Sequence, residues 1–237
     1  MADTKRTRGG SRRRWRAPLL FLVGLALAFP LWWSAWILYW NFEDPAATAF
    51  MNRRAQELAA GGGGRVVWHW LPYERISPHL KRAVIAAEDA RFTEHDGYDW
   101  PALERALKRN WRQRRIAAGG STITNQLAKN LFLSAERTPW RKGQEAVITL
   151  LLEAFMEKRR ILEIYLNTIE WGEHAFGAEA AARHYFNRGA DRLSRDQAAL
   201  LASMIPRPRH YDRNGITPHL RRKAAVIRER MGSAEPP

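Results

Sequence analysis

The chain has 237 residues and 46 % hydrophobic content, enough for one medium domain with a packed core plus an appendage. Its 39 Lys and Arg against 24 Asp and Glu leave a formal charge of +15, which points to anionic partners: nucleic acid, a membrane surface or a phosphate-bearing substrate. With no cysteine, disulfides and thiolate metal sites are excluded.

The charge is uneven. Lys5, Arg6, Arg8, Arg12, Arg13, Arg14 and Arg16 stand against Asp3 alone in the first segment, 1–17. Residues 18–40, "PLLFLVGLALAFPLWWSAWILYW", then carry no ionisable group except the Tyr39 phenol. That length matches the roughly 20 residues a helix needs to cross hydrocarbon. Tryptophans and Tyr39 cluster in its second half, as at an outer interface, and the basic tail puts the N-terminus in the cytoplasm. A cleaved signal peptide is the competing reading, since Ala26, Leu27 and Ala28 look like a cleavage site. The apolar run continues well beyond them, which favours an uncleaved anchor. The tail then serves as a topology signal, and the case for nucleic acid weakens.

Residues 41–64 read as a juxtamembrane linker or helix, punctuated by Gly61 to Gly64. "RVVWHWLP" alternates well enough for one short strand. From there the pattern is mostly helical. Ser77 and Pro78 open a helix, Asp99 and Pro101 another. Ser194 and Gln197 form a capping box, and Pro206 stops the helix that follows.

"AVIAAEDARFTEHDG", residues 83–97, ends an apolar run on two acids, Glu88 and Asp89. The helix from Pro78 carries Leu80, Val84 and Ala87 along one side and the acids near its C-terminal end. Carboxylates there oppose the helix dipole. Desolvation and the dipole both raise a carboxylate pKa towards the range of a general base. A solvated helix end is the plain alternative.

"GGSTITNQLAKNLFLS", residues 119–134, puts glycines and hydroxyls ahead of a helix, a way to present free N–H groups to an anion. Thr122, Gln126 and Lys129 share one face; Ile123, Leu127 and Leu131 form an apolar one. An ordinary amphipathic helix after a glycine turn reads the same way. It is not a P-loop, because the lysine is nine residues beyond the second glycine. In "RKGQEAVITLLLEAF", Arg141 and Lys142 precede Glu145 by four and three residues. Glu145 falls in register with Ile148, Leu152 and Phe155, a costly place for an acid unless it is paired or functional. "KRRILEIYLNTIEWG" is a helix with Ile161, Tyr165, Leu166 and Ile169 as core and Glu163 beside them.

"EDARFTEHDG", "GGSTITNQLAKNLFL", "RKGQEA", "ILEIYLN" and the later "AARHYFNRGADRLSRDQAALLASMIPRP", in this order, resemble the peptidoglycan glycosyltransferases over roughly residues 66–215. The chain is similar to their monofunctional members, which lack a transpeptidase domain. The resemblance implies a mainly α, lysozyme-like glycosyltransferase domain over 65–230. It has a small membrane-proximal jaw region and follows one N-terminal transmembrane helix. It implies polymerisation of lipid II on a growing glycan strand, inverting at the donor and releasing undecaprenyl diphosphate. Glu88 would be the general base, with Asp89, Phe92 and His95 shaping its site. Thr122, Gln126, Lys129 and Asn130 would contact the donor and its diphosphate. Arg141 and Lys142 would stabilise the leaving group, and Glu145 would assist there, directly or through a divalent cation (Mg or Mn). Glu163 would order the site. Asn125 stands where the family usually has a glutamine. Pro206 takes a place where bifunctional relatives can carry a base, for which Arg207 is the nearest substitute. The implied location is the inner membrane, with the catalytic domain periplasmic and transpeptidases and division or elongation proteins as neighbours. Two rivals remain at this point: a lysozyme-like glycan-cleaving enzyme and a membrane-tethered binding module without catalysis.

Overall fold

The computed structural model describes residues 16–114, 120–134, 136 and 138–237, without the side chains of 16–23 and 25–27. Eleven α-helices and one two-stranded sheet appear among them, so the mainly α expectation holds. The start signals read from the sequence work as expected. Ser77 caps α3 (Pro78–Glu88) by accepting the His79 N–H; Asp99 caps α4 (Trp100–Gln113) through Ala102. Ser194 and Gln197 close a capping box on α9 (Arg195–Met204).

Helix α1 (Arg16–Tyr39) precedes the domain. Its last turns bury Trp33 and Ile37, and the following Trp40 is buried too, while Leu31, Trp32 and Tyr39 stay exposed. The Trp40 ring lies 5.2 Å from that of Phe132, and Asn41 donates to the Phe155 carbonyl at 2.9 Å. Phe155, expected on the buried stripe, is instead 41 % exposed, because the helix ends there. Among the described residues no helix is long and apolar enough to cross a membrane. The basic tail and much of the apolar stretch 18–40 lie outside the residues described with side chains.

Within 41–64, read as a juxtamembrane linker or helix, Ala49–Ala60 forms helix α2, which packs against the helical core. Met51, Arg54 and Leu58 are buried on it. Arg54 donates to the Glu173 carbonyl at 2.9 Å and pairs with the Glu173 carboxylate at 3.0 Å. A sequence of charged residues and alanines hid this, since its inward face is held by ion pairs as much as by apolar contact. The expected strand shrinks to Val67–Trp68 (β1), paired in parallel with Ala175–Phe176 (β2). The chain beyond it is held by Asn167, whose amide accepts from the Leu71 N–H and donates to its carbonyl, both at 2.9 Å.

Helices α3, α9 and α11 (Pro218–Arg230) pack on one another around Leu80, Val84, Leu201, Leu220 and Ile227. Helix α5 (Ile123–Phe132) packs on α6 (Pro139–Phe155) and α7 (Lys158–Thr168), burying the expected Ile123, Leu127 and Leu131. The C-terminal end of α3 and the N-terminal end of α5 meet between these two groups, and the site forms there.

Candidate active site

Glu88 and Asp89 end α3 but face different ways. Asp89 is buried; its Oδ1 is 2.9 Å from His95 Nε2, and its Oδ2 accepts the Ile123 N–H at 3.1 Å. The carboxylate thus sits at the N-terminal end of α5, where a negative charge is favoured. Phe92 is fully buried behind it, with the Lys158 ammonium 4.7 Å from its ring centre. Glu88 is part-buried and accepts from Gln126 Nε2 at 2.7 Å. Burial, with the Asp89 charge adding to it, holds the Glu88 carboxyl above the usual carboxylate range; the Gln126 bond, Lys223 and Lys129 pull the other way.

Beside this pair opens a cleft of about 330 Å³ lined by Phe50, Ser121, Asn125, Gln126, Lys129, Arg141, Lys142 and Glu145. Thr138 caps α6 through the Arg141 N–H, so Arg141 and Lys142 fall in its first turn. Glu145, one turn on, is 4 % exposed; it accepts from Arg141 at 2.9 Å and from Lys142. The Arg141 Nε is buried without a partner. Lys129 reaches in from α5, 5.6 Å from the Phe50 ring centre. Burial lowers its pKa, with Arg141 and Lys142 adding, while Glu145 and Glu88 oppose. Three cations and one paired acid leave a net positive cleft suited to a di-anionic group.

Gln126, Lys129, Arg141, Lys142 and Glu145 therefore line one cleft, and Gln126 links it to Glu88. Thr122 does not join them. It is the N-cap of α5, and its hydroxyl accepts the Asn125 N–H and donates to the Gly97 carbonyl at 2.7 Å. A threonine just before a helix reads equally as cap or ligand; here the cap wins. Gly97 has φ +86°, and a Cβ there would sit 2.7 Å from Thr149, so only glycine turns its carbonyl to Thr122 and Asn125. Asn125 completes the capping box and also lines the cleft. Asn130 is buried on α5 and is not among the residues that line the cleft. Glu163 is also elsewhere: it accepts the Tyr73 N–H at 2.8 Å and pairs with Arg160 at 2.8 Å. Gly119, the first glycine of the expected anion turn, lies outside the described residues.

Sequence reasoning missed Phe50, Ser121, Lys223 and the polar use of Tyr165. Lys223 donates to the Ser203 carbonyl at 3.1 Å and faces Glu88 electrostatically. Its signal was present: it stands between Leu220 and Ile227 on the buried side of α11.

A divalent cation fits poorly at Glu145. The carboxylate is already engaged by Arg141 and Lys142, and among the described residues no three His, Asp or Glu side chains gather as metal ligands.

The family model described as transglycosylase matches residues 55–232. A biosynthetic peptidoglycan transglycosylase of Nitrosospira multiformis is 53 % identical over 224 residues, covering 94 % of this chain and 97 % of its own. Those of Chromobacterium violaceum and Methylobacillus flagellatus are 52 % and 54 % identical, over 92 % and 94 % of this chain and 96 % and 97 % of theirs. The chain belongs to the transglycosylase family.

Proposed function

We propose that the protein polymerises lipid II into β-1,4 glycan strands of peptidoglycan. The observation that carries the reading is the pairing of one desolvated carboxylate, Glu88, with a separate cleft of Lys129, Arg141 and Lys142. Glycosyl transfer from a lipid diphosphate needs both. A base must take the proton of the acceptor hydroxyl, and its raised pKa brings it towards neutrality. Fixed cations must receive the negative charge that develops as the anomeric carbon–oxygen bond to the diphosphate breaks. The new bond forms on the face opposite the departing diphosphate, so configuration inverts. Glu145 holds the two α6 cations in place.

Glycan cleavage is the less favoured reading, because a sugar leaving group gives three cations nothing to do. Incubation with lipid II separates the two. Polymer formation supports synthesis, and shortening of preformed glycan without polymer sinks it.

The membrane setting belongs to the same proposal. Substrate lipids lie in a bilayer, residues 18–40 are apolar enough to anchor, and Trp100, Leu107 and Trp111 are exposed on α4 with Trp140 exposed on α6. The domain then works on the periplasmic side, with its N-terminus in the cytoplasm. Transpeptidases and division or elongation proteins are its expected neighbours.

A further inference from the structure

We propose that Tyr165 is a positioning residue for Glu88, acting through Gln126. Three groups stand in line: the Tyr165 hydroxyl donates to Gln126 Oε1 at 3.0 Å, and Gln126 Nε2 donates to Glu88 Oε2 at 2.7 Å. Tyr165 is fully buried on α7, far from solvent that could replace it. A glutamine amide is nearly symmetric in shape, so its partners decide which end points where. With Oε1 engaged by the phenol, the N–H end faces the carboxylate.

The choice of a phenol matters, because it both donates and accepts. When Glu88 holds a proton, the amide can rotate: Oε1 accepts from the carboxylic acid and Nε2 donates to the Tyr165 oxygen. A donor-only group in place of Tyr165 would allow the first state alone. The pair Tyr165–Gln126 therefore serves Glu88 before and after it takes the acceptor proton. Other charges also face Glu88: Asp89 on α3, Lys129 on α5 and Lys223 on α11. None of them makes a hydrogen bond to its carboxylate among the described contacts, so the direct contact is the one Tyr165 orders.

The inference rests on Glu88 as the base. Its test is the pH dependence of lipid II polymerisation by the full chain and by Tyr165→Phe, Gln126→Met and the double variant. Tyr165→Phe is expected to lower kcat about ten-fold, as for one buried hydrogen bond, with KM within about two-fold. Its acid limb moves to higher pH, because Glu88 loses an ordered donor. In the Gln126→Met background, Tyr165→Phe changes nothing further. A Tyr165→Phe enzyme with an unshifted acid limb overturns the proposal, as does a full additional loss in the Gln126→Met background. Carbon-13 NMR titration of Glu88 reads the same shift without turnover, and serves with Gln126→Met alone if Tyr165→Phe does not fold. Glu88→Gln is the control: if it still polymerises, the base assignment fails, whereas an inactive Glu88→Gln beside an unshifted Tyr165→Phe sinks only the relay.

Discussion

Asp89 accepts the Ile123 N–H at 3.1 Å, so one carboxylate ends α3 and begins α5. Two acids at a helix C-terminus are electrostatically wrong for that helix. One of them is right for the next helix, and the other is then available to the site. The pairing of Glu88 with Asp89 is in this sense a joint between two elements with the proposed base on its edge.

Removing the joint should cost stability. Asp89→Ala loses the Ile123 and His95 contacts and strands a buried imidazole whose Nδ1 already has no partner. The expected loss is about 2 kcal/mol, with Asp89→Asn milder. Chemical unfolding measures it, and an alanine variant as stable as the parent refutes the role.

Glu88→Gln should trade activity for stability. Polymerisation falls by a factor on the order of 10² to 10⁴, the usual range for a lost base. Burial raises the Glu88 pKa, so the folded chain binds that proton more tightly than the unfolded one. The group's contribution is therefore fully present in acid and is lost as pH rises through the raised value. The glutamine removes that loss. At neutral pH the variant should be at least as stable as the parent, and the two should converge in acid. Thermal melts at several pH values decide.

Arg141 and Lys142 should differ. Arg141 is largely buried against Glu145, with its side chain 13 % exposed, while that of Lys142 is 58 % exposed. Arg141→Ala is expected to lower kcat/KM by about 10² to 10³, as for a fixed charge on a developing anion, and Lys142→Ala by less. Steady-state kinetics with lipid II that rank them the other way would contradict this geometry.

Lys223 should tune the same carboxylate, the proposed base, from the far end of the chain. Its charge lowers the Glu88 pKa, so Lys223→Met moves the acid limb of the rate profile upward and Lys223→Arg restores it. An identical profile in all three proteins counts against the electrostatic coupling.

Much of this was legible because local chemistry was explicit. Ser77, Asp99 and Ser194 each announced a helix start, and the spacing of Arg141, Lys142 and Glu145 announced their ion pairs. What was not legible depended on contacts across the chain. Thr122 looks the same as cap or ligand until Gly97 is placed beside it. Glu163 lies on the helix of Tyr165, yet besides Arg160 one turn back it accepts from the Tyr73 backbone, a contact no spacing predicts. Tyr165 was visible as core, but periodicity says nothing about where a phenol points.

Helix α2 has a practical meaning for anyone who wishes to free the domain from its hydrophobic leader. The glycines at 61–64 invite a cut, and a shortened chain starting at residue 65 would look tidy. It would also discard Phe50, one wall of the cleft, and Arg54, a buried partner of Glu173. An enzyme trimmed at residue 65 should be unstable and inactive in the polymerisation assay, whereas one that also keeps residues 33–64, with the buried Trp33, Ile37 and Trp40, should keep its fold. The stretch that looks like a tether is part of the machine it tethers.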